Sequence, residues 1–228
     1  MTSARWQVLI VEMTKAKQAL HEVDSGGVYE YHVPRVGCTE EELLVVEASL
    51  GERLDPQHRE FLRHAGGWRW FWHEVHLFGP QELMGGPAMD YALEMLRLAD
   101  LSEAGCTVHA LLPVASGPNN TDVFAIGRQA TSVEGRVLWI AGGLVEQFDG
   151  FEQYFASMIA YTTATPAALP SPLRSYRGRR SATIRTVAPS GSPRIWSPKS
   201  LYQVHASRAG IGRRDRSTIG VGSVPSGG

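Results

Sequence analysis

The feature that most limits what this chain can fold into is a change of polymer near Ala164. Up to Thr163 it carries 11 Lys+Arg against 22 Asp+Glu, a net charge of −11, and from Ala164 onward 11 Lys+Arg against a single Asp, a net +10. The later segment also holds seven of the 13 prolines, and its large apolar residues (Leu169, Ile184, Ile195, Trp196, Leu201, Tyr202) are scattered. Too little apolar area can be gathered there to offset the entropy of ordering so many residues. Residues 164–228 are therefore expected to form a disordered basic tail, and any core has to come from residues 1–163. Translation out of frame would leave the same abrupt change, so a non-native extension is a second account of that tail.

The acidic segment reads as a series of punctuated elements. Trp6, Leu9, Ile10, Met13 and Leu20 share one side of a helix from Arg5 to Val23, which the Asp24-Ser25-Gly26-Gly27 break ends. Thr39 stands three residues before Glu42, the spacing of a capping box, and Leu43, Val46 and Leu50 continue as a stripe to Gly51. Asp55-Pro56 starts another helix, with Phe61, Leu62 and Ala65 on its apolar face and Gly66-Gly67 as its stop. Trp68 to Phe78 is aromatic and β-branched and reads as a strand or a bent strand pair. Ala88–Ala99 reads as a helix, Leu111–Ala115, Asp122–Ile126 and Arg136–Ile140 as strands, and Phe151, Tyr154, Phe155, Met158 and Ile159 mark a closing amphipathic helix. Helices, then strands, then a helix, without regular alternation, predict a mixed α+β fold with a mainly antiparallel sheet.

The pattern over Thr39–Gly67 resembles the opening of the SUKH superfamily, the Smi/Knr-type proteins. Glu47, Leu50, Gly51, Leu54, Phe61, Leu62 and Gly66-Gly67 occupy its landmark positions. Val75-His76-Leu77-Phe78-Gly79 resembles the family's first sheet strand, Leu112-Pro113-Val114 its central strand, Asp122 and Phe124 the next, Gly135-Arg136-Val137 another, and Phe151 with Phe155 its terminal helix. The likeness runs from Val36 to Tyr161, which leaves residues 1–35 as an N-terminal extension and 36–163 as the domain. Departures are Asp55 between Leu54 and Pro56, Ala65 where the family has Asn, and an insert from Gly85 to Thr107. The resemblance implies a SUKH-like domain that recognises other proteins, in bacteria and their viruses most often as immunity proteins against partner toxins, and in fungal relatives as signalling hubs. It implies no catalytic residues and no cofactor.

The residues themselves agree with a binder more than an enzyme. His73 and His76 flank Glu74 at a spacing of three in an extended segment, where they point to opposite faces, unlike the helical four-residue spacing of a zinc protease. Cys38 and Cys106 have no nucleophile context, and two cysteines suit a reducing, cytoplasmic setting. No apolar run approaches the ~20 residues needed to cross a bilayer. Strict alternation would put Phe71, Val75 and Leu77 on the core face and Trp70, Trp72, Glu74 and His76 on the other. For Trp70 and Trp72 two readings stand open: a second buried face, or outward anchors of an interface. Trp70, Trp72, Glu74, His76 and Asp122 are accordingly the candidate partner-binding residues. The partner expected for a domain of charge −11 is a basic protein, such as a toxin whose active face meets nucleic acid. The alternative is a nucleic-acid-associated or viral accessory protein, with the Arg-rich tail on phosphate and the domain recruiting a second protein.

Overall fold

The computed structural model describes residues 3–118 and 120–168. Helix α1 spans Ser3–Val23, α2 Glu40–Leu50 and α3 Pro56–His64, followed by strands β1 (Trp68–Trp72) and β2 (Val75–Leu77). Short α4 (Pro80–Leu83) and α5 (Pro87–Leu98) lead through a 3-10 turn at Val108–Ala110 into β3 (Leu111–Ser116), β4 (Val123–Gly127), β5 (Val137–Ile140) and β6 (Leu144–Phe148), and α6 (Phe151–Ala168) closes the fold. The six strands lie in sequence order and each pairs antiparallel with its neighbours, so the fold is α+β as expected. The expected tail lies, from residue 169 on, outside the described residues. Helix α6 itself runs on to Ala168, with Thr165 buried, so the compositional break at Ala164 falls within a helix.

Local chemistry sets the helix boundaries. The Thr39 hydroxyl accepts from the Glu42 N–H at 3.2 Å while the Glu42 carboxylate accepts from the Thr39 N–H at 2.8 Å, and Gly51 closes α2 in the left-handed region at φ 72°. Asp55 accepts from the N–H groups of Gln57 (2.9 Å) and His58 (3.0 Å), with Pro56 at the first helical position, where a missing N–H costs nothing. Glu47 then ties α2 to α3: its Oε1 accepts from the Leu54 N–H at 3.1 Å and from Arg59 Nε at 3.0 Å. Gly66 packs so closely on the preceding chain that a β-carbon there would lie 2.5 Å from the Val36 carbonyl oxygen. That approach explains the Gly-Gly stop in terms of space as well as turn geometry.

Helices cover the sheet on both sides. On one side Trp6 of α1 meets Phe61 of α3 (5.5 Å between ring centroids) and Phe155 of α6 (5.5 Å), and Phe124 of β4 meets Tyr154 of α6 (4.9 Å). On the other, α5 packs on β3 and β4 and buries Ala92 and Leu96. The insert from Gly85 to Thr107 thus supplies the second cover, and every residue of β3, β4 and β5 is buried. Strand β6, unmarked in the sequence reading, is a half-exposed edge of only five residues after Gly142-Gly143, and α4 is a single turn. The Leu-Val-Glu-Gln-Phe of β6 has no clean alternation of apolar and polar residues, and one turn of helix carries no periodic signal.

Candidate functional site

The β1–β2 hairpin is where backbone strain and half-exposed aromatics coincide. Trp68 pairs with Leu77 and Trp72 with Val75, so β1 spends two more residues than β2 over the same stretch of ladder. Trp70 absorbs the excess in a left-handed conformation (φ 50°), and His73 at the hairpin turn adopts another (φ 47°). A bulky side chain there costs of order 1–3 kcal/mol, a strain that clusters at functional sites. The bulge defeats strict alternation: consecutive residues Phe71 and Trp72 both enter the core.

Trp72 is therefore corrected from the outward face. It is 6% exposed, with its ring 5.1 Å from Trp139, 6.1 Å from Phe124 and 4.4 Å from His73. Asp122 is corrected likewise: it is 3% exposed and accepts a 2.7 Å hydrogen bond from Trp139 Nε1. Burial raises its carboxyl pKa, and that hydrogen bond opposes the rise. Neither residue can meet a partner at the surface. Trp70, Glu74 and His76 stay half-buried at the hairpin, with the Trp70 and His76 rings 5.6 Å apart. Burial lowers the His76 pKa, and nearby Arg69 lowers it further, so the ring is neutral at pH 7.

The N-terminal extension completes this surface, and the sequence reading missed it. Arg35 N–H donates to the Gly67 carbonyl (2.9 Å), Trp68 Nε1 to the His32 carbonyl (2.7 Å), and Lys17 Nζ to the Trp70 carbonyl, which together cover the outer edge of β1. Tyr29 lies edge-on to His73 at 5.1 Å and Tyr31 stacks on His21 at 6.0 Å. Around Trp70 and His76 stand the His32–Glu30 contact (2.8 Å) and a fork in which Arg35 Nη2 donates to both oxygens of Glu82 (2.9 and 2.8 Å). Glu82 also accepts from the Gly79 N–H at 2.9 Å, so the fork is anchored to the start of α4. The signals that could have found the extension were the alternating aromatics of Tyr29-Glu30-Tyr31-His32 and a lysine, Lys17, within the apolar stripe of α1.

His73 and His76 lie in different surroundings, the first against Tyr29 and Trp72, the second against Trp70, and among the described residues no group of three or more His, Cys, Asp or Glu is placed to hold a metal ion. Burial, then the nearby Glu42, pushes the Cys38 thiol up to about 11, where little thiolate forms at neutral pH. Among the described residues no helix is long and apolar enough to cross a membrane.

Comparison with known proteins gives one family. The sequence model described as SMI1 / KNR4 family (SUKH-1) matches residues 37–161, more than half of the chain. No curated protein matches it.

Proposed function

Because the chain belongs to the SMI1 / KNR4 family (SUKH-1), we propose that it is a non-enzymatic, cytoplasmic protein-binding domain that acts as an immunity protein, occluding a basic partner toxin. The observation that carries this reading is the family match over residues 37–161. The hairpin surface supports it. Trp70 and His76 form a half-exposed aromatic pair bordered by ion-paired and hydrogen-bonded side chains, the combination of apolar anchor and polar rim that gives interfaces their affinity. The acidic charge of the domain would speed encounter with a basic partner and make the association rate fall with salt.

The test is co-expression with the product of the gene beside this one. A toxic, basic product whose effect the chain relieves, and which forms a stoichiometric complex with it in calorimetry, supports the reading. A neighbouring toxin that is neither bound nor neutralised abandons it. The nucleic-acid alternative rests on the ten arginines after Thr163. It would show as DNA or RNA retention that disappears when residues 169–228 are deleted while protein binding persists.

A further inference from the structure

Lys17 occupies a position where an apolar residue would serve packing better. It lies in line with Trp6, Leu9, Met13 and Leu20 on the buried face of α1, and it is 7% exposed. Its Nζ donates to the Trp70 carbonyl and, at 3.5 Å, to the Glu30 carbonyl. Among the described residues no carboxylate forms an ion pair with it, and burial draws its pKa down to about 8, which leaves the group mostly cationic at pH 7. A buried ammonium satisfied only by main-chain carbonyls carries a desolvation penalty that a counter-charge would offset.

A crevice with room for about one water molecule adjoins it, lined in part by Lys17, Tyr29, Glu30, Trp72, His73 and Thr162. Trp72 Nε1 and Thr162 Oγ1 are buried without a hydrogen-bond partner, in residues 6% and 3% exposed. An ammonium and an indole N–H can only donate, and the threonine hydroxyl can donate as well. The three residues that carry these donors, from α1, β1 and α6, thus line one small space. An occupant that accepts from all three and carries negative charge satisfies them better than water, which must also donate.

We infer that this crevice binds a single small monovalent anion of halide size, held by Lys17, Trp72 and Thr162. The anion would clamp the N-terminal helix, outside the family-matched segment, to the domain it packs against. Other titratable groups facing Lys17 do not compete for the role. Burial raises the Tyr29 phenol, burial and Lys17 itself hold the His73 ring neutral with a pKa of about 4, and the Glu30 carboxylate is engaged by His32 at 2.8 Å.

The experiment uses the full-length chain. Thermal unfolding is followed at constant ionic strength while sodium gluconate is replaced by sodium chloride, and crystals soaked in bromide are searched for anomalous scattering. The melting temperature should rise with chloride and saturate, and the rise should fade as pH passes about 8 and Lys17 loses its proton. Bromide should appear within hydrogen-bond distance of Lys17 Nζ. Thr162→Val, which preserves the shape of a buried threonine, should raise the half-saturating chloride concentration about tenfold, and Lys17→Met should abolish the response. A melting temperature independent of chloride at every pH overturns the inference, as does a crevice holding only water in bromide-soaked crystals. If Lys17→Met does not fold, an unchanged chloride response in Thr162→Val overturns it equally.

Discussion

β1 and β4 are both five-residue strands, yet they do opposite things with their residues. Strand β4 pairs residue for residue with β5 over Val123–Ile126 and buries every side chain it has. Strand β1 breaks its ladder between Trp68 and Trp72, sends Phe71 and Trp72 inward together and leaves Trp70 half-exposed with φ 50°. A regular central strand with helices on both sides spends everything on stability. A bulged strand near the edge gives up ladder hydrogen bonds and accepts strain, and in return presents one large aromatic at a fixed place.

The sharpest way to break that comparison is to truncate one aromatic of the bulged strand and one of the core common to both. Phe155→Ala should cost about 3–5 kcal/mol, because its ring meets Trp6, Phe61, Trp68 and Phe71 and its loss leaves a cavity among them. Trp72→Ala should fall in the same range despite lying on the bulged strand. Denaturant unfolding of both variants measures this. A cost below about 1 kcal/mol for Trp72→Ala would return it to the surface where strict alternation put it.

A neutral histidine is buried in the core at α3, and another lies half-buried at the hairpin. His58 of α3 lies between Phe61 and Phe151, with no hydrogen bond to either ring nitrogen, and burial lowers its pKa to about 3. His73 at the hairpin is lowered to about 4. In both cases the unfolded chain binds the proton more readily than the folded one. Their contribution is therefore fully present above the unfolded value of about 6.5 and is lost as pH falls through that value toward the folded one. For His58 the loss approaches about 1.4 kcal/mol per pH unit within that window. His58→Phe should flatten the acid side of the stability profile, read by denaturant midpoints from pH 7 to 4. An unchanged slope would mean that the ring is already protonated or solvated in the native state.

How much of this was legible in the sequence follows the same divide. The capping box at Thr39 and Glu42, the Asp55-Pro56 start and the stripe from Phe151 declare themselves because each is a local device whose partners lie within a turn or two. Of the two readings open for Trp72 the buried one holds, and alternation alone could not decide it because a bulge is a property of two paired strands. Asp122 reads from the sequence as a candidate contact residue because its partner, Trp139, lies 17 residues away on the next strand. The extension's part in the site rests on hydrogen bonds to main-chain carbonyls, Arg35 N–H to Gly67 and the Trp68 indole to His32, which no spacing of side chains announces.

Asp122 gives a smaller, signed effect. Its carboxyl pKa is raised in the fold, so its contribution is most favourable at low pH and declines as pH rises through the ordinary carboxylate value toward the raised one. Asp122→Asn keeps an oxygen for Trp139 Nε1 and removes the buried charge, and it should leave stability at pH 7 unchanged or raise it by up to about 1 kcal/mol. Asp122→Leu should cost about 1–3 kcal/mol, because the indole N–H then loses the carboxylate that accepts from it. Equal effects from the two variants would show that the hydrogen bond contributes nothing.

The smallest difference is the most informative about the hairpin. At φ 50° an alanine pays for a left-handed backbone and a glycine does not, whereas in an ordinary strand glycine is the worse residue. Trp70→Gly should therefore be more stable than Trp70→Ala by about 0.5–1 kcal/mol, the reverse of the order expected at a regular position such as Ala125 in β4, where Ala→Gly should cost about that much. Paired chemical denaturation of the two Trp70 variants decides it. If Trp70→Ala is the more stable, the backbone relaxes out of the left-handed region once the indole is gone, and the bulge is a consequence of the tryptophan. If glycine wins, the bulge is built by its surroundings, including the Lys17 ammonium on the Trp70 carbonyl. Trp70 is then a replaceable side chain on a fixed platform, and either variant should lose partner affinity, by about 2 kcal/mol for an anchor residue, with the fold intact.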